Sequence, residues 1–276
     1  MKKKTSTIGW GSVILILAVL FFLWPTYWMV TSSFKNMKVS LQIPPEWFPV
    51  KPTFENFRYL FTKHPVLLWF FNSMAVSTLV AASVAIVSAM AAYSLAKINF
   101  KSAKPAFGVM MAAATLPHAL LLVPLFKLIS NMHIDNTYLG LLLPTLGGTY
   151  GVFLLKQLMQ TLPSEIIEAG RIDGCTEFGI FWSLILPLSK AGLATVAIFS
   201  FVSSWNDYVW QLITLSEKTM YTLPLGIQMA QKLSEFETNY GVGMAGAVLA
   251  TLPVLLVFIK FNKYFTKGIT MGAVKG

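Results

Sequence analysis

Residues 163–187 read PSEIIEAGRIDGCTEFGIFWSLILP, a charged and glycine-punctuated segment between two strongly apolar runs. The proline at its start stops the preceding run, and Ser164 is placed to cap the first free backbone N–H groups of a helix. Glu165 and Glu168 follow in the first turns, where the helix dipole favours negative charge. Gly174 predicts the end of this helix, because glycine readily adopts the left-handed conformation that a helix terminus often needs.

A second short amphipathic helix is predicted from Thr176 to about Leu184, before Pro187 opens a new apolar run. Its apolar members are Phe178, Phe181, Trp182 and Ile185. Two short amphipathic helices between apolar runs are typical of a segment that lies at a membrane surface and docks onto a partner. An ordinary interfacial connector is the alternative interpretation, because amphipathicity alone does not distinguish the two.

The spacing of Glu168-Ala169, Gly174 and Leu186-Pro187 resembles the EAA signature of membrane subunits of binding-protein-dependent ABC importers. In that family the pattern is Glu-Ala-Ala, three residues, Gly, nine residues and Ile-x-Leu-Pro. The chain departs from it with Gly170 in place of the second alanine and Leu184 in place of the isoleucine. Both replacements are mild, small for small and aliphatic for aliphatic.

The resemblance extends over essentially the whole chain. It includes Trp205-Asn206-Asp207 and the terminal sequences Gly268-Ile269-Thr270 and Gly272-Ala273-Val274-Lys275-Gly276. These are similar to the carbohydrate-uptake branch of the family, in particular to the second permease of the maltose system. The resemblance implies the fold of a type I ABC importer permease, alternating access, and a place in the cell membrane of a prokaryote.

Partners are also implied by the resemblance: a second homologous permease that forms a heterodimer, two ATP-binding subunits, an extracytoplasmic solute-binding protein and a sugar substrate. ATP and Mg would be bound by the partner subunits, so no cofactor is expected in this chain. Contact with the ATP-binding subunits is expected from the segment quoted above. The residues assigned to that contact are Glu165, Glu168, Ala169, Gly170, Asp173, Gly174, Leu186 and Pro187.

Composition points independently to a polytopic membrane protein. Of 276 residues, 55% are hydrophobic and 12% charged, and the mean hydropathy is +0.65, which is too apolar for a soluble domain. The formal charge of +10 does not indicate nucleic-acid binding, because the basic residues are dispersed between apolar runs. The single cysteine, Cys175, excludes an intramolecular disulfide.

An all-α chain of six transmembrane helices, forming one domain over residues 1–276, is predicted with both termini in the cytoplasm. The spans are expected at about 10–30, 67–95, 106–128, 137–156, 188–212 and 241–260, with external loops at 31–64 and 214–239 and a cytoplasmic coupling segment at 163–187. This arrangement puts 13 of the 21 Lys and Arg residues on the cytoplasmic side, as the positive-inside rule favours. The first run is longer than a signal-peptide core and is expected to stay in the chain.

Small residues and helix breakers predict which spans lie inside the bundle. The second span has a face of small residues, which favours close approach of other helices. Its members are Ala81, Ser83, Ala85, Ser88, Ala89 and Ala92. Pro117 and Pro124 interrupt the third span. The fourth is broken by Pro144, Gly147, Gly148 and Gly151. Such a break needs partners for the freed backbone groups, so the fourth span is expected to face protein or a water-filled path.

Catalytic chemistry is not indicated. No G-x-x-x-x-G-K-[ST] loop occurs in the sequence, so the chain is not expected to bind ATP by that route. His64, His118 and His133 are far apart and lack the pairing of a metal site, so no metal is expected. His118 is interpreted as a hydrogen-bonded interior side chain, with a proton carrier as the alternative. The sequence also lacks a recognisable nucleophile elbow or acid/base pair, which disfavours a membrane enzyme.

Polar and aromatic residues in the fourth and fifth spans predict a route for the solute. They are Tyr150, Phe201, Ser204, Trp205, Asn206 and Asp207. Hydroxyl and amide groups suit a polyhydroxylated solute, and the rings of Phe201 and Trp205 suit the apolar faces of sugar rings. Asp207 lies about 28 Å from Leu188 by helical rise, near the far boundary of a ~30 Å core. A substrate vestibule and a structural aromatic belt therefore both remain open for this region.

The resulting hypothesis is a permease subunit of an ABC importer for a carbohydrate. An importer for another solute, such as a polyamine, phosphate or a peptide, is the first alternative. An ion-driven secondary transporter is the second, but a lone intramembrane carboxylate and the lack of a mid-span basic residue argue against a proton relay.

Overall fold

Helices make up most of the chain. The computed structural model describes residues 10–36, 43–232 and 238–273, and side chains from residue 11 to residue 261 within those ranges. The α-helices are α1 (Trp10–Ser33), α2 (Glu55–Lys63), α3 (Val66–Lys97), α4 (Ala103–Ala114), α5 (His118–Asn131), α6 (Tyr138–Leu142), α7 (Thr149–Gln160), α8 (Glu165–Ile172), α9 (Glu177–Ile180), α10 (Leu186–Leu188), α11 (Lys190–Asn206), α12 (Val209–Thr214), α13 (Leu223–Ala230) and α14 (Tyr240–Ala273). The described residues also form a 3₁₀ helix at Leu143–Gly147, between α6 and α7, and a π-helix at Phe181–Ile185, between α9 and α10. Among the described residues, the only β-type pairing is an isolated bridge between Lys232 and Thr238.

Three of these helices are each long and apolar enough to cross a membrane. They contain Gly11–Ser33, Val66–Lys97 and Tyr240–Phe261. Three bent helix pairs pass the same test together, α4 with α5, Tyr138–Gly147 with α7, and Glu177–Leu188 with α11. If each bent pair is one span, the described residues hold six candidates. The N-terminal lysines and residues 274–276, which mark the predicted cytoplasmic ends, lie outside the described residues.

The helices group into two compact units. One comprises residues 1–66 and 227–252, and the other residues 67–226 and 253–276. The smaller unit therefore contains α1, the predicted external loop and α2, while the larger one contains the coupling segment and the predicted solute route. Each unit has its own buried side chains, described separately below.

In the smaller unit, described residues of the predicted external loop at 31–64 contact the side chain of Lys35. This side chain is 2% exposed. Its Nζ atom donates to the Glu46 carbonyl at 2.5 Å and lies 4.1 Å above the Trp28 ring. Burial lowers the pKa of Lys35, and the nearby Glu46 carboxylate opposes that shift. The Asn56 amide of α2 also donates to the Ser33 and Lys35 carbonyls, at 2.8 Å each, so α2 is held against the end of α1.

In the larger unit, α3 packs against other helices through the predicted face of small residues, while its other side is exposed. Its small face is buried at Ala81, Ala85, Ser88, Ala89 and Ala92, whereas Ser83 is half-buried. The small side chains of this face let other helices come close. A Cβ added at Gly151 of α7 would lie 2.5 Å from Ser88 Oγ and 3.0 Å from Val196 Cγ1 of α11. Helices α3, α7 and α11 therefore meet at Gly151.

The helix breaks fall partly where the sequence predicts. Helices α4 and α5 meet at a bend of 103°, and Pro117 lies in the gap between them, directly before α5. Pro124 lies inside α5 and does not interrupt it. The fourth helical region breaks at Gly147 and Gly148 with a bend of 47°, while Gly151 lies inside α7 and serves packing.

The region of the predicted fifth span, at about 188–212, is not one continuous helix. Helix α11 begins at Lys190 and ends at Asn206, Asp207 has an extended backbone, and α12 begins at Val209. The predicted external loop at 214–239 contains helix α13, in which Leu223 and Leu225 are buried.

Candidate functional site

Helix α8 opens the coupling segment and ends as predicted. Gly174 has φ +78°, in the left-handed region that glycine tolerates best. The Gly174 N–H donates to the Arg171 carbonyl at 3.1 Å, and the Cys175 N–H donates to the Gly170 carbonyl at 2.9 Å. These two bonds form a Schellman motif, so the last carbonyls of α8 are satisfied by the turn itself.

The predicted cap at Ser164 is wrong. Its backbone is already helical, with φ −70° and ψ −23°, and its side chain makes no capping bond. A capping side chain needs an extended backbone at that position to reach the N–H groups of the first turn. The Ser164 carbonyl instead accepts from the Ile167 and Glu168 N–H groups, at 3.0 and 3.1 Å.

Gly170, the departure from the EAA pattern, lies at a close contact between the two parts of the coupling segment. It is buried, and an added Cβ would lie 3.1 Å from both Ile180 Cγ1 and Leu184 Cδ1. An alanine would therefore require these side chains to move by a few tenths of an ångström. The glycine lets α8 pack closely on the helical turns that follow it.

The second part of the segment is helical, but it is not one regular α-helix. Thr176 caps it, because its Oγ1 accepts from the Gly179 N–H at 3.1 Å. Helix α9 then passes into the π-helix at Phe181–Ile185, which leads into α10. Phe181 and Ile185 of the predicted apolar set are buried, whereas Phe178 and Trp182 are exposed. Leu186 is half-buried and Pro187 is exposed at the end of the segment.

The Glu177 carboxylate joins three parts of the structure. Its Oε1 lies 2.7 Å from Arg171 Nε of α8, and its Oε2 accepts a 2.7 Å hydrogen bond from the Tyr93 hydroxyl of α3. The hydrogen bonds from Arg171 and Tyr93 lower the pKa of Glu177, so it is ionised and accepts both bonds at neutral pH.

A second bond attaches the beginning of the segment to the same helix. Lys97 Nζ donates to the Leu162 carbonyl at 2.6 Å, immediately before Pro163. Tyr93 and Lys97 are four residues apart and therefore lie on one face of α3. The coupling segment is thus attached to α3 at Leu162 and again at Glu177.

The coupling segment also exposes large apolar side chains. Ile172 is 86% exposed and Phe178 63% exposed. The rings of Phe178 and Trp182 pack edge to face, with centroids 5.9 Å apart. The assigned coupling residues Glu165, Glu168, Ala169 and Asp173 are exposed as well. Exposed apolar and charged side chains on one short segment are typical of a protein-docking surface.

The predicted solute-route residues divide by exposure. Tyr150 is exposed, and its ring packs edge to face on Phe199 with centroids 5.8 Å apart. Asn206 is exposed, with its amide donating to the Val202 carbonyl at 3.0 Å. Phe201 and Ser204 are half-buried. These four residues remain candidates for contact with a solute.

Trp205 does not offer a stacking face, which corrects the prediction. It is fully buried, stacked on Phe201 at 5.8 Å and edge to face with Phe70 of α3 at 5.8 Å. Its large apolar surface fixes α11 against α3.

Asp207 lies at the break between α11 and α12. It is half-buried, and its Oδ1 atom accepts from the Trp210 N–H at 3.3 Å. This bond satisfies an N–H group of the first turn of α12, which is a structural role. His118 is exposed as the first residue of α5, so its interpretation as an interior histidine is wrong.

A buried polar network that the sequence did not reveal holds the chain before α13 against α3. The Asn72 amide donates to the Thr219 and Tyr221 carbonyls at 2.8 and 2.9 Å, and its oxygen accepts from the Tyr138 hydroxyl at 2.8 Å. The Trp69 indole donates to the Lys218 carbonyl at 2.9 Å. Asn72 is the only amide side chain in α3, and that was the signal available in the sequence.

In the ranges that the structure describes, no three His, Cys, Asp or Glu side chains are close enough to share a metal ion. Cys175 is free and exposed, directly after the turn at Gly174.

Comparison with known proteins identifies the family. Residues 65–271 match the family described as binding-protein-dependent transport system inner membrane component. The chain belongs to this family. The match includes residues 163–187, the residues predicted to line a solute route, and the helices from α3 to all but the last two residues of α14.

Relatives extend the similarity over the full length. The chain is 35% identical to the arabinooligosaccharides transport system permease protein AraQ of Halalkalibacterium halodurans, over 100% of both chains. It is 32% identical to the sulfoquinovosyl glycerol transport system permease protein SmoH of Agrobacterium fabrum, over 92% of this chain and 89% of that one.

A solved structure has the same fold. It is a bacterial ABC transporter involved in the import of the acidic polysaccharide alginate, and one of its chains matches with a TM-score of 0.79 at 19% identity. The match covers 92% of this chain and 95% of that one. The chain is therefore a membrane-spanning permease subunit of a binding-protein-dependent ABC transporter, in a family of membrane subunits and not of ATPases.

Proposed function

We propose that this permease subunit imports a carbohydrate, with passage driven by ATP hydrolysis in separate subunits. The observation that carries the proposal is full-length similarity to a permease named for arabinooligosaccharide transport. The exposed aromatic and amide groups of the candidate route agree with it, since sugars are bound by ring stacking and a few hydrogen bonds.

The coupling segment docks onto an ATP-binding subunit. Ile172, Phe178 and Trp182 supply the apolar contact, and exposed Glu165, Glu168 and Asp173 supply charge around it. Gly170 and Gly174 shape the segment, and Leu186-Pro187 leads back toward the bundle. Movement of the docked segment passes to α3 through the bonds at Glu177 and Leu162.

The solute passes along a surface that includes Tyr150, Phe201, Ser204 and Asn206. Tyr150 and Asn206 are exposed to it, whereas Trp205 and Asp207 hold the helices behind it. A hydroxyl and an amide in this position form hydrogen bonds with sugar hydroxyl groups, each contributing about 0.5 to 1.5 kcal/mol net.

The complete transporter contains two permeases, two ATP-binding subunits that hold ATP and Mg, and an extracytoplasmic solute-binding protein. Six spans place both termini and the coupling segment in the cytoplasm of a prokaryote. This orientation follows the distribution of Lys and Arg residues.

An anionic glycoside is the second candidate for the substrate, and similarity to the sulfoquinovosyl glycerol permease favours it. The two candidates separate in one assay. The complete transporter in proteoliposomes is supplied with neutral arabino-oligosaccharides, a sulfonated glycoside or glycerol phosphate, with and without ATP inside. We expect ATP-dependent uptake of the neutral oligosaccharides. Uptake of the sulfonated glycoside alone favours the second candidate, and uptake driven by an ion gradient without ATP contradicts import by this class of transporter.

A further inference from the structure

A basic cleft of about 800 Å³ lies beside the coupling segment. Its charged side chains come from three separate parts of the chain: the end of α3 with the loop and the first turn of α4, helix α7, and helix α8. They are Lys97, Lys101, Lys104, Lys156, Arg171 and Glu168. Among the described residues that line the cleft, five basic side chains thus face one acidic side chain.

Interactions within the chain neutralise only part of this positive charge. Arg171 is paired with Glu177, and Lys97 donates to a backbone carbonyl, which leaves its charge uncompensated. Lys156 Nζ lies 4.2 Å from the Phe107 ring centre, an interaction that orients the ammonium group without cancelling its charge. Lys101 and Lys104 are exposed. Positive groups converging on one cavity with so little negative charge favour an anionic ligand.

The apolar part of the lining distinguishes between anionic ligands. Leu95, Ile98, Phe100 and Phe107 line the same cleft as the lysines. These apolar side chains do not contribute to binding of a free phosphate ion. A phospholipid whose phosphate contacts the lysines would also contact them through its glycerol and upper acyl carbons. The cleft also lies at the end of α3, where a membrane-length apolar helix gives way to a lysine-rich loop.

We propose that this cleft binds the headgroup of an anionic phospholipid of the cytoplasmic leaflet. The proposal rests on the proposed function only for the orientation that places the coupling segment in the cytoplasm. A lipid phosphate bound here bridges Lys101 of the loop and Lys104 of α4 to Lys156 of α7 and to Arg171 of α8. The lipid therefore stabilises the position of α8, which carries the docking surface for the ATP-binding subunit.

The test uses the complete transporter in liposomes that contain a photoreactive phosphatidylglycerol, or a phosphatidylcholine with the same chains. Cross-links are mapped by mass spectrometry to peptides of this chain. The variant Lys101→Gln/Lys104→Gln is compared with Lys63→Gln/Lys218→Gln, which removes the same charge from exposed sites outside the cleft. Each basic residue near an anionic lipid surface strengthens binding about fivefold. We therefore expect the first variant to reduce cross-linking at the cleft by about tenfold or more, and the control to leave it unchanged.

Equal labelling by the two lipids, or equal labelling of the two variants, overturns the proposal. Complete competition by millimolar inorganic phosphate also overturns it, since the site would then be one for a free anion. Loss of the co-purified ATP-binding subunit with unchanged lipid labelling would assign the cleft to a protein interface instead. Sugar uptake is measured on the same liposomes, so failure of the proposed function appears as absent uptake and is separate from failure of lipid labelling.

Discussion

The Tyr93 hydroxyl donates a 2.7 Å hydrogen bond to Glu177 Oε2, so the second half of the coupling segment is bonded directly to helix Val66–Lys97. Tyr93 is buried, and Glu177 is held from the other side by Arg171. The Glu177 carboxylate is therefore one of two bonded connections between the coupling segment and α3, together with the bond from Lys97 to the Leu162 carbonyl. This relationship predicts that the bond matters for coupling more than for folding.

Tyr93→Phe removes this bond and retains the ring, so we expect the chain to be inserted normally. Loss of a hydrogen bond to a charged group removes about 1.5 kcal/mol of the connection between segment and helix. Sugar transported per ATP hydrolysed should fall by about tenfold, while binding-protein-stimulated ATP hydrolysis persists. Tyr59→Phe, the same change in α2, is the control and should behave as wild type. An unchanged transport ratio in Tyr93→Phe would show that Glu177 does not transmit the movement.

Gly174→Asp tests the shape of the coupling segment. The substitution forces a non-glycine residue to φ +78°, at a cost of about 1 kcal/mol or more, and places a negative charge beside Asp173. We expect uptake and co-purification of the ATP-binding subunit to fall while the protein remains in the membrane. Gly179→Ala is the matched control, because an added Cβ there makes only ordinary contacts, 3.4 Å from Thr176 Oγ1. If Gly174→Asp shows normal uptake and normal co-purification, the segment is only a connector between two helices.

Gly151→Ala tests the meeting of three helices. The added methyl group lies 2.5 Å from Ser88 Oγ, so the helices must move apart, at a cost of about 1 to 3 kcal/mol. The melting temperature of the purified protein should fall, and Ser88→Ala in the same chain should restore part of the loss. Gly147→Ala is the control, since nothing lies within 4 Å of its added Cβ. If Gly151→Ala and Gly147→Ala melt alike, the close approach at Ser88 is not a feature of the folded protein.

Tyr150→Ala and Asn206→Ala test the solute route. Both side chains are exposed, so the substitutions should lower sugar uptake more than ATP hydrolysis and leave the amount of folded protein unchanged. Trp205→Ala differs, because it empties a buried site and should cost about 3 to 5 kcal/mol in the free energy of unfolding. Folded protein should then be scarce. If sugar uptake is unchanged in both Tyr150→Ala and Asn206→Ala, the substrate contacts lie in the partner permease.

Local chemistry was predictable from the sequence where one residue decides a conformation. Gly174 ends α8 because few other residues adopt φ +78° readily. The fourth helical region breaks at Gly147-Gly148 as predicted, although Gly148, with φ −62° and ψ 121°, has a backbone conformation that other residues also adopt. The predicted helix cap at Ser164 was wrong because capping depends on the backbone angles of the serine itself, and these are already helical. Residue type alone does not reveal that angle.

Packing was harder to predict, because a helix that is apolar on every side carries little information about which face is buried. Trp205 was therefore assigned to the solute route, although it is buried against Phe70. The Asn72 network was missed for a different reason. Its partners lie 66 to 149 residues away in the chain, and only the fold brings them together.

The central claim is that the coupling segment lies in the cytoplasm against an ATP-binding subunit, and Cys175 tests it without any substitution. It is the only cysteine of the chain, and it is exposed immediately after Gly174. A membrane-impermeant maleimide is applied to intact cells, to inside-out vesicles, and to vesicles stripped of the ATP-binding subunits, and labelling of the Cys175 peptide is measured by mass spectrometry. We predict no labelling in intact cells, weak labelling in inside-out vesicles, and strong labelling after stripping. Labelling of Cys175 in intact cells would place the segment outside the cell and contradict the account.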